Sequence, residues 1–565
     1  MTELVSLRPL AAVLAAAVGV IFIVALNRRP NLREGATIVS SVSTLGIVAS
    51  MVPGVLDGTT YVTDLGAFVP GVSFTLTADP LGMIFGLLAS LLWVVTSFYS
   101  IGYMRGLDEH SQTRYFAAFA GSVSAAIGVA FASNLIVLYV FYELLTVATY
   151  PLVTHDETDE ARKAGRKYLA YTFGGGVAAL AGTALIFLLT GTVEFTPGGI
   201  AALAGADPVL ARAAFGLLIA GFGVKAALMP VHSWLPDAMV APTPVSGLLH
   251  AVAVVKSGVF GIARVILDVY GPGTVESLGV GLPLAAVAAF TILAASIIAL
   301  RQDNLKRRLA YSTVSQLSYI VLGLALLSPA ALVGGLLHIP AHAFMKLTLF
   351  FCAGAIHVET HTDDISDMAG IGRRMPLTMI AFTIASLGMA GLPLVAGFVS
   401  KWYLLIGSID AGQTVFALVL LTSGLLNIGY FWPIIYQAFF QTPEDSDAKP
   451  LIEFPIGGVT ARADGGRKNA TLTSETESNG ETYAVDQHPS DHLTEDAHDH
   501  DDEHHGGPPA DGWERRALGT ESTWFIMAPI ATAATGALVL GIVPYTAVFL
   551  ALVQQVVAGA TGVVF

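Results

Sequence analysis

Runs of about 20 apolar residues recur from one end of this chain to the other, and that repetition leaves few folds open. A helix of about 20 residues crosses the hydrocarbon core of a bilayer. Inside lipid only helices and closed barrels satisfy every backbone polar group. The 565 residues are 54% hydrophobic and 12% charged, against about 25% charged in a soluble domain. The expectation is an all-α polytopic membrane protein. Fourteen spans fit the pattern, roughly 6–26, 36–56, 78–101, 113–131, 133–153, 168–190, 212–230, 243–267, 280–300, 308–328, 330–356, 375–396, 398–440 and 522–543. The range 398–440 is too long for one helix. It is expected to hold the end of a broken twelfth helix, a loop near Asp410 and the thirteenth. The first run, Ser6 to Leu26, lacks a small-residue cleavage signature and precedes Arg28 and Arg29, so it is read as a span rather than a removed signal peptide.

Positive charge tests the span count. With the first loop placed in the cytoplasm, the odd loops carry Arg28, Arg29 and Arg33; Arg105 and Arg114; Arg162, Lys163, Arg166 and Lys167; Arg301, Lys306, Arg307 and Arg308; and Arg373 and Arg374. The thirteenth loop carries six more, making 21 of the 28 basic residues, while the opposite side has Arg8 and Arg212. Positive residues mark cytoplasmic loops. The pattern predicts both termini outside, in the cell membrane. Between Gln441 and Thr520 there are 18 acidic and 6 basic residues, which is −12 of the chain's −14. Three regions follow: a membrane domain at 1–440, an acidic His-rich loop at 441–520 on the cytoplasmic side, and a last span with a C-terminal segment at 521–565. The loop has few aliphatic residues and is expected to be disordered. Its six histidines between His488 and His505 allow metal binding, but a solvated surface loop is the expectation.

Cys352 is the one cysteine. The chain therefore forms no internal disulfide and cannot alone supply the thiolates of an iron–sulfur cluster. No Gly-rich nucleotide motif follows a strand pattern. No cofactor or metal is expected in the chain, and any redox centre it works with would be on a partner subunit.

Against this apolar background stand Lys225, Lys256, Lys346 and Lys401, each deep within a span. A charge at the bilayer centre costs about 2.5–3.5 kcal/mol even on lenient scales, and such residues are functional by default. Glu143, in Phe141-Tyr142-Glu143-Leu144-Leu145, is also mid-span, and Lys225 is its natural counter-ion; a static pair orienting two helices is the plainer alternative. Lys225 lies close to a break marked by Pro230, Pro236, Pro242 and Pro244, and Lys401 follows a second at Gly391, Pro393 and Gly397. Interrupted helices in matching halves point to a transport site between inverted repeats. His232 and Asp237 sit at the membrane edge, as a proton entry or a polar cap. His250 and Lys256, six apart, lie about 240° apart on a helix and face different neighbours. His250 is a relay candidate, although a core histidine is the plainer reading. His338, His342 and Lys346 recur every four residues and share one face. One titratable group per turn suits a proton wire. A metal site is the alternative, which the lysine disfavours.

These strings resemble the antiporter-like membrane subunits shared by Mrp-type sodium/proton antiporters, respiratory complex I and membrane-bound hydrogenases. They include Gly221-Phe222-Gly223-Val224-Lys225-Ala226, His232-Ser233-Trp234-Leu235-Pro236-Asp237-Ala238, Ala241-Pro242-Thr243-Pro244, the stretch Asn304 to Gln316, and His342-Ala343-Phe344-Met345-Lys346. The resemblance runs from about residue 80 to 440. It implies fourteen helices with two inverted five-helix repeats, at about 113–267 and 280–440, and discontinuous seventh and twelfth helices. It implies that Glu143, Lys225, Lys256 and Lys401 form the charged core of proton translocation, with His342 and Lys346 linking the halves. A lysine at 401 departs from the complex I subunit that carries glutamate there. The chain lacks the long lateral helix of the largest complex I subunit and the extra C-terminal membrane domain of the largest Mrp subunit. The string from His250 to Gly258 leans toward that largest Mrp subunit, yet a D-type Mrp subunit is the expectation. The implied function is a proton-translocating subunit of a multi-subunit monovalent cation/proton antiporter, with other membrane subunits, protons and Na+ as partners and no nucleic acid. The alternatives are a pumping subunit of a quinone- or hydrogen-linked redox complex and a structural subunit with static ion pairs.

Overall fold

The structure is a computed structural model that describes residues 2–442, 507–509, 512–544 and 548–565. Two compact units are distinguished, Met1–Leu451 with Gly506–Phe565, and Ile452–His505. The second unit lies outside the described residues, and with it most of the acidic loop, its six histidines and its expected disorder.

Helices occupy the apolar runs: Arg8–Ala25, Pro30–Ala49, Pro80–Gly106, Gln112–Phe131, Leu135–Val153, Asp159–Thr190, Pro208–Lys225, Gly281–Leu300, Leu305–Ala325, Pro329–Thr360, Pro376–Ala390, Ala396–Asp410, Thr414–Phe440 and Trp524–Ile542. From Thr243 to Tyr270, α-helical and π-helical turns alternate, with the π-helical turns at Leu248–Val252 and Val265–Tyr270. Among the described residues, eleven helices are long and apolar enough to cross a membrane. The chain is a multi-pass membrane protein.

Helix starts follow from local chemistry. Asp79, Asp207 and Ser328 each precede a proline, and each side chain accepts a backbone N–H of the first turn. Proline at the first helical position gives up an N–H that would have no partner there anyway. Asn134, Thr158 and Asn304 cap their helices in the same way.

Three features depart from the sequence expectation. A three-stranded sheet joins Thr2–Val5, Thr59–Val69 and Val72–Ala78, so the chain is not wholly helical. Its hairpin turns at Pro70-Gly71, where Gly71 takes a positive φ of 82°, and its strands are rich in the β-branched and aromatic residues that suit a pleated surface. The helices at 159–190 and 329–360 are 32 residues each, longer than the expected spans. A further helix, Val548–Thr561, follows the last apolar run.

Both expected breaks are present. The helix Pro208–Lys225 stops at Lys225 itself, not a turn later, and Trp234 Nε1–H donates to the carbonyl of Val224 at 2.8 Å, satisfying a group the break leaves open. Pro376–Ala390 ends at Gly391, whose φ of 94° suits glycine, and the chain resumes helix at Ala396–Asp410.

Candidate proton-transfer axis

Lys225, Lys256 and Lys346 are fully buried in the protein, and none faces lipid. Lys401 is half-buried.

The first cluster lies where Leu135–Val153 meets Pro208–Lys225. Lys225 Nζ donates to the carbonyl of Tyr142 at 2.5 Å and stands 3.5 Å from that residue's ring centroid. Tyr142 OH donates to the carbonyl of Gly221 at 3.2 Å. The ammonium thus sits at a helix C-terminus and over a π face, two places that favour positive charge. The expected direct pair with Glu143 is not formed. Both Glu143 carboxylate oxygens are buried and lack a hydrogen-bond partner. The carboxylate occupies space left by Gly176, where a Cβ would stand 2.7 Å from Glu143 Cδ. Helix geometry explains the outcome. Consecutive residues 142 and 143 diverge by about 100°, so the lysine that reaches the Tyr142 carbonyl does not also reach the Glu143 side chain.

The second cluster holds the His338, His342 and Lys346 face. Lys256 Nζ lies 2.6 Å from His342 Nδ1. Lys346 Nζ donates to the carbonyl of Leu309 at 2.6 Å and to the Ser312 hydroxyl. His338 and His342 rings are 6.0 Å apart, as a four-residue spacing dictates. His338 Nδ1 meets Ser400 Oγ at 2.8 Å, and its Nε2 meets Gln316 Oε1 at 2.9 Å. With these nitrogens held by Lys256, Ser400 and Gln316, the face reads as a wire and not as a metal site. Beyond it, Tyr319 stacks on His338 with centroids 5.6 Å apart, and Lys401 Nζ lies 4.9 Å from the Tyr319 ring. The Lys401 amine also donates to the carbonyl of Met389, in the last turn before the second break.

The two clusters abut. A Cβ at Gly258 would stand 2.7 Å from the Lys225 carbonyl carbon and 2.8 Å from the Phe222 oxygen. The helix carrying Lys256 therefore rests directly on the end of the helix carrying Lys225. His250 does point away from Lys256: its ring packs on Phe350 at 4.8 Å and neither ring nitrogen has a hydrogen-bond partner. Lys346 Nζ is 5.9 Å from the same Phe350 ring. Asp237 pairs with Lys167 at 2.6 Å, while His232 lies 6.4 Å from Tyr311 and its Nδ1 has no partner.

Sequence reasoning missed a polar seam beside the wire. Ser296 Oγ meets Ser315 Oγ at 2.9 Å and Ser423 Oγ at 3.2 Å, and Gln316 Nε2 donates to Asn427 at 3.4 Å. All five residues are buried. The signal was present as Ser312, Ser315, Gln316 and Tyr319, polar residues three or four apart on one helix face. Also missed was the clamp at Arg264, whose guanidinium meets Asp79 twice at 2.7 Å and Asp268 at 2.8 Å. Arg264 is not merely near a helix end; it is 2% exposed.

Fold and site together define a multi-pass helical membrane protein with buried ionisable side chains arrayed across two helix groups. Residues 132–426 match the family model described as NADH:quinone oxidoreductase/Mrp antiporter, TM, and the chain belongs to that family. It is 35% identical over 397 residues to the NADH-quinone oxidoreductase subunit N of Desulforudis audaxviator, covering 69% of this chain and 77% of that one. It is 34% identical over 419 residues to an Na(+)/H(+) antiporter protein of Alkalihalophilus pseudofirmus, covering 68% of this chain and 51% of that one, so it spans about half the length of that relative. The fold resembles a chain in the structure of the Mrp complex from Dietzia sp., with a TM-score of 0.75 and 24% identity over 98% of both chains.

Proposed function

We propose that the chain is a proton-translocating membrane subunit of a multi-subunit monovalent cation/proton antiporter, of the D type. Protons move by exchange among Glu143, Lys225, Lys256, His342, Lys346 and Lys401, with His338 joining the last two and His232, Asp237 and His250 accessory. The carrying observation is the fully buried contact of Lys256 Nζ with His342 Nδ1 at 2.6 Å. An amine and an imidazole at that distance share one proton between them, and a charge arriving on either side moves it. The two breaks set Lys225 and Lys401 beside backbone carbonyls that can take up and release a cation. Helices 113–267 and 280–440 act as two inverted five-helix repeats meeting at this contact. The protein lies in the cell membrane, termini outside and acidic loop in the cytoplasm, and works with other membrane subunits.

The test is Lys225→Ala. The expected result is an assembled complex with proton movement lost in proteoliposomes; assembly with normal transport would support the structural-subunit reading. A redox-linked pump is the second reading, favoured by the match to the oxidoreductase relative over 77% of that protein's length. Purification of the native complex decides between them: small antiporter subunits in one case, iron–sulfur and quinone-site chains in the other.

A further inference from the structure

A second group of titratable side chains lies away from the axis, in two loops flanking the helix that carries Glu143. Glu109 and His110 belong to the loop between Pro80–Gly106 and Gln112–Phe131, and His155 follows Leu135–Val153 by two residues. Their ligand-type atoms all lie within 4.8 Å of one another. Glu109 Oε2 is 3.7 Å from His155 Nε2 and 3.8 Å from His110 Nδ1. We propose that Glu109, His110 and His155 form a binding site for a divalent transition metal of the zinc class.

Four observations converge. Ligands held about 2.0–2.1 Å from a tetrahedral zinc lie about 3.3 Å from each other, so two edges of the triangle are within small side-chain rotations of that geometry. His155 is 0% exposed, yet neither of its ring nitrogens has a hydrogen-bond partner. A buried imidazole left so costs stability, and a metal ion would satisfy it. Burial, with His110 and Arg114 nearby, pushes the His155 imidazole down to about 4, so the ring is neutral and has a lone pair to give. Finally, His110 Nε2–H donates to the backbone carbonyl of His155 at 3.0 Å. That bond fixes the tautomer with the lone pair on Nδ1, toward Glu109, which is how ligating histidines are commonly oriented. The half-exposed His110 side chain leaves the fourth position open to water. Imidazole and carboxylate donors suit zinc, cobalt(II) and nickel(II) over magnesium or calcium. The nearby cation Arg114 is neutralised by its own pair with Glu157, which lowers the repulsion an incoming ion meets.

The test uses the full-length chain with the six acidic-loop histidines (His488, His492, His498, His500, His504 and His505) replaced by alanine, so that they do not compete. Zinc titrated by calorimetry should bind once per chain and raise the Tm. Cobalt(II) should give visible bands of tetrahedral intensity. His110→Ala and Glu109→Gln should weaken zinc by about 10- to 100-fold and remove the rise in Tm. His155→Ala should do the same, and its unliganded Tm checks its folding. No zinc binding in the starting protein, or equal affinity in His110→Ala and Glu109→Gln, overturns the site.

Discussion

At the scale of single residues, Glu143 is the most informative group. A buried carboxylate usually accepts several hydrogen bonds; here both oxygens go without. Structure therefore gains little from the charge. Glu143→Gln should leave the Tm unchanged or raised, since it removes a buried charge and breaks no hydrogen bond. The same variant should slow proton uptake into proteoliposomes by about tenfold or more, equivalent to ~1.4 kcal/mol of barrier. A fall in Tm with unaltered uptake would assign Glu143 to the framework instead. Lys256 is the opposite case: its partner His342 was legible only as a member of a face. Sequence gives the face through the four-residue period; which residue of another helix points at it is a matter of packing.

Among the elements, Arg264 ties two helices together. Asp79 caps the start of Pro80–Gly106, while Asp268 sits one turn beyond Arg264 itself. Removing one partner of a buried ion pair leaves uncompensated charge and costs about 3–5 kcal/mol. Arg264→Met should therefore lower the Tm markedly in a thermal melt in detergent, and a melt matching the wild type would show the clamp to be dispensable. A second tie works through Glu521, which accepts from Leu377 N–H at 2.5 Å and from Thr378 N–H at 2.9 Å, so a carboxylate just before the last apolar helix caps the start of Pro376–Ala390. Both ties are long-range in sequence, and nothing in local pattern announces them. Breaks are different. Proline and glycine act on the backbone beside them, so both interruptions were readable to within a turn. The short sheet went unread because attention to apolar length passes over alternation in the connecting segment 57–78, where Thr, Val and Phe recur.

For the whole molecule, charge is divided by region. The segment 441–520 carries −12, and the remaining residues −2. A segment with so few aliphatic residues contributes little to the buried core. A chain lacking 452–505 should insert, assemble and carry protons at close to the full rate, measured as dye-reported acidification of vesicles; loss of assembly would make that segment a partner contact. By itself the sequence determined the class of protein, its apolar helices, the places where two of them break, and which titratable side chains lie within them. Those follow from hydropathy, helical period and backbone stereochemistry, which act over a few residues. Only the tertiary structure decided that Lys225 turns to the Tyr142 carbonyl and leaves Glu143 without a partner, that Lys256 meets His342, and that Glu109, His110 and His155 converge from two loops. Each of these joins groups from separate elements, and close packing of helices, which no local rule encodes, sets which side chains come within reach.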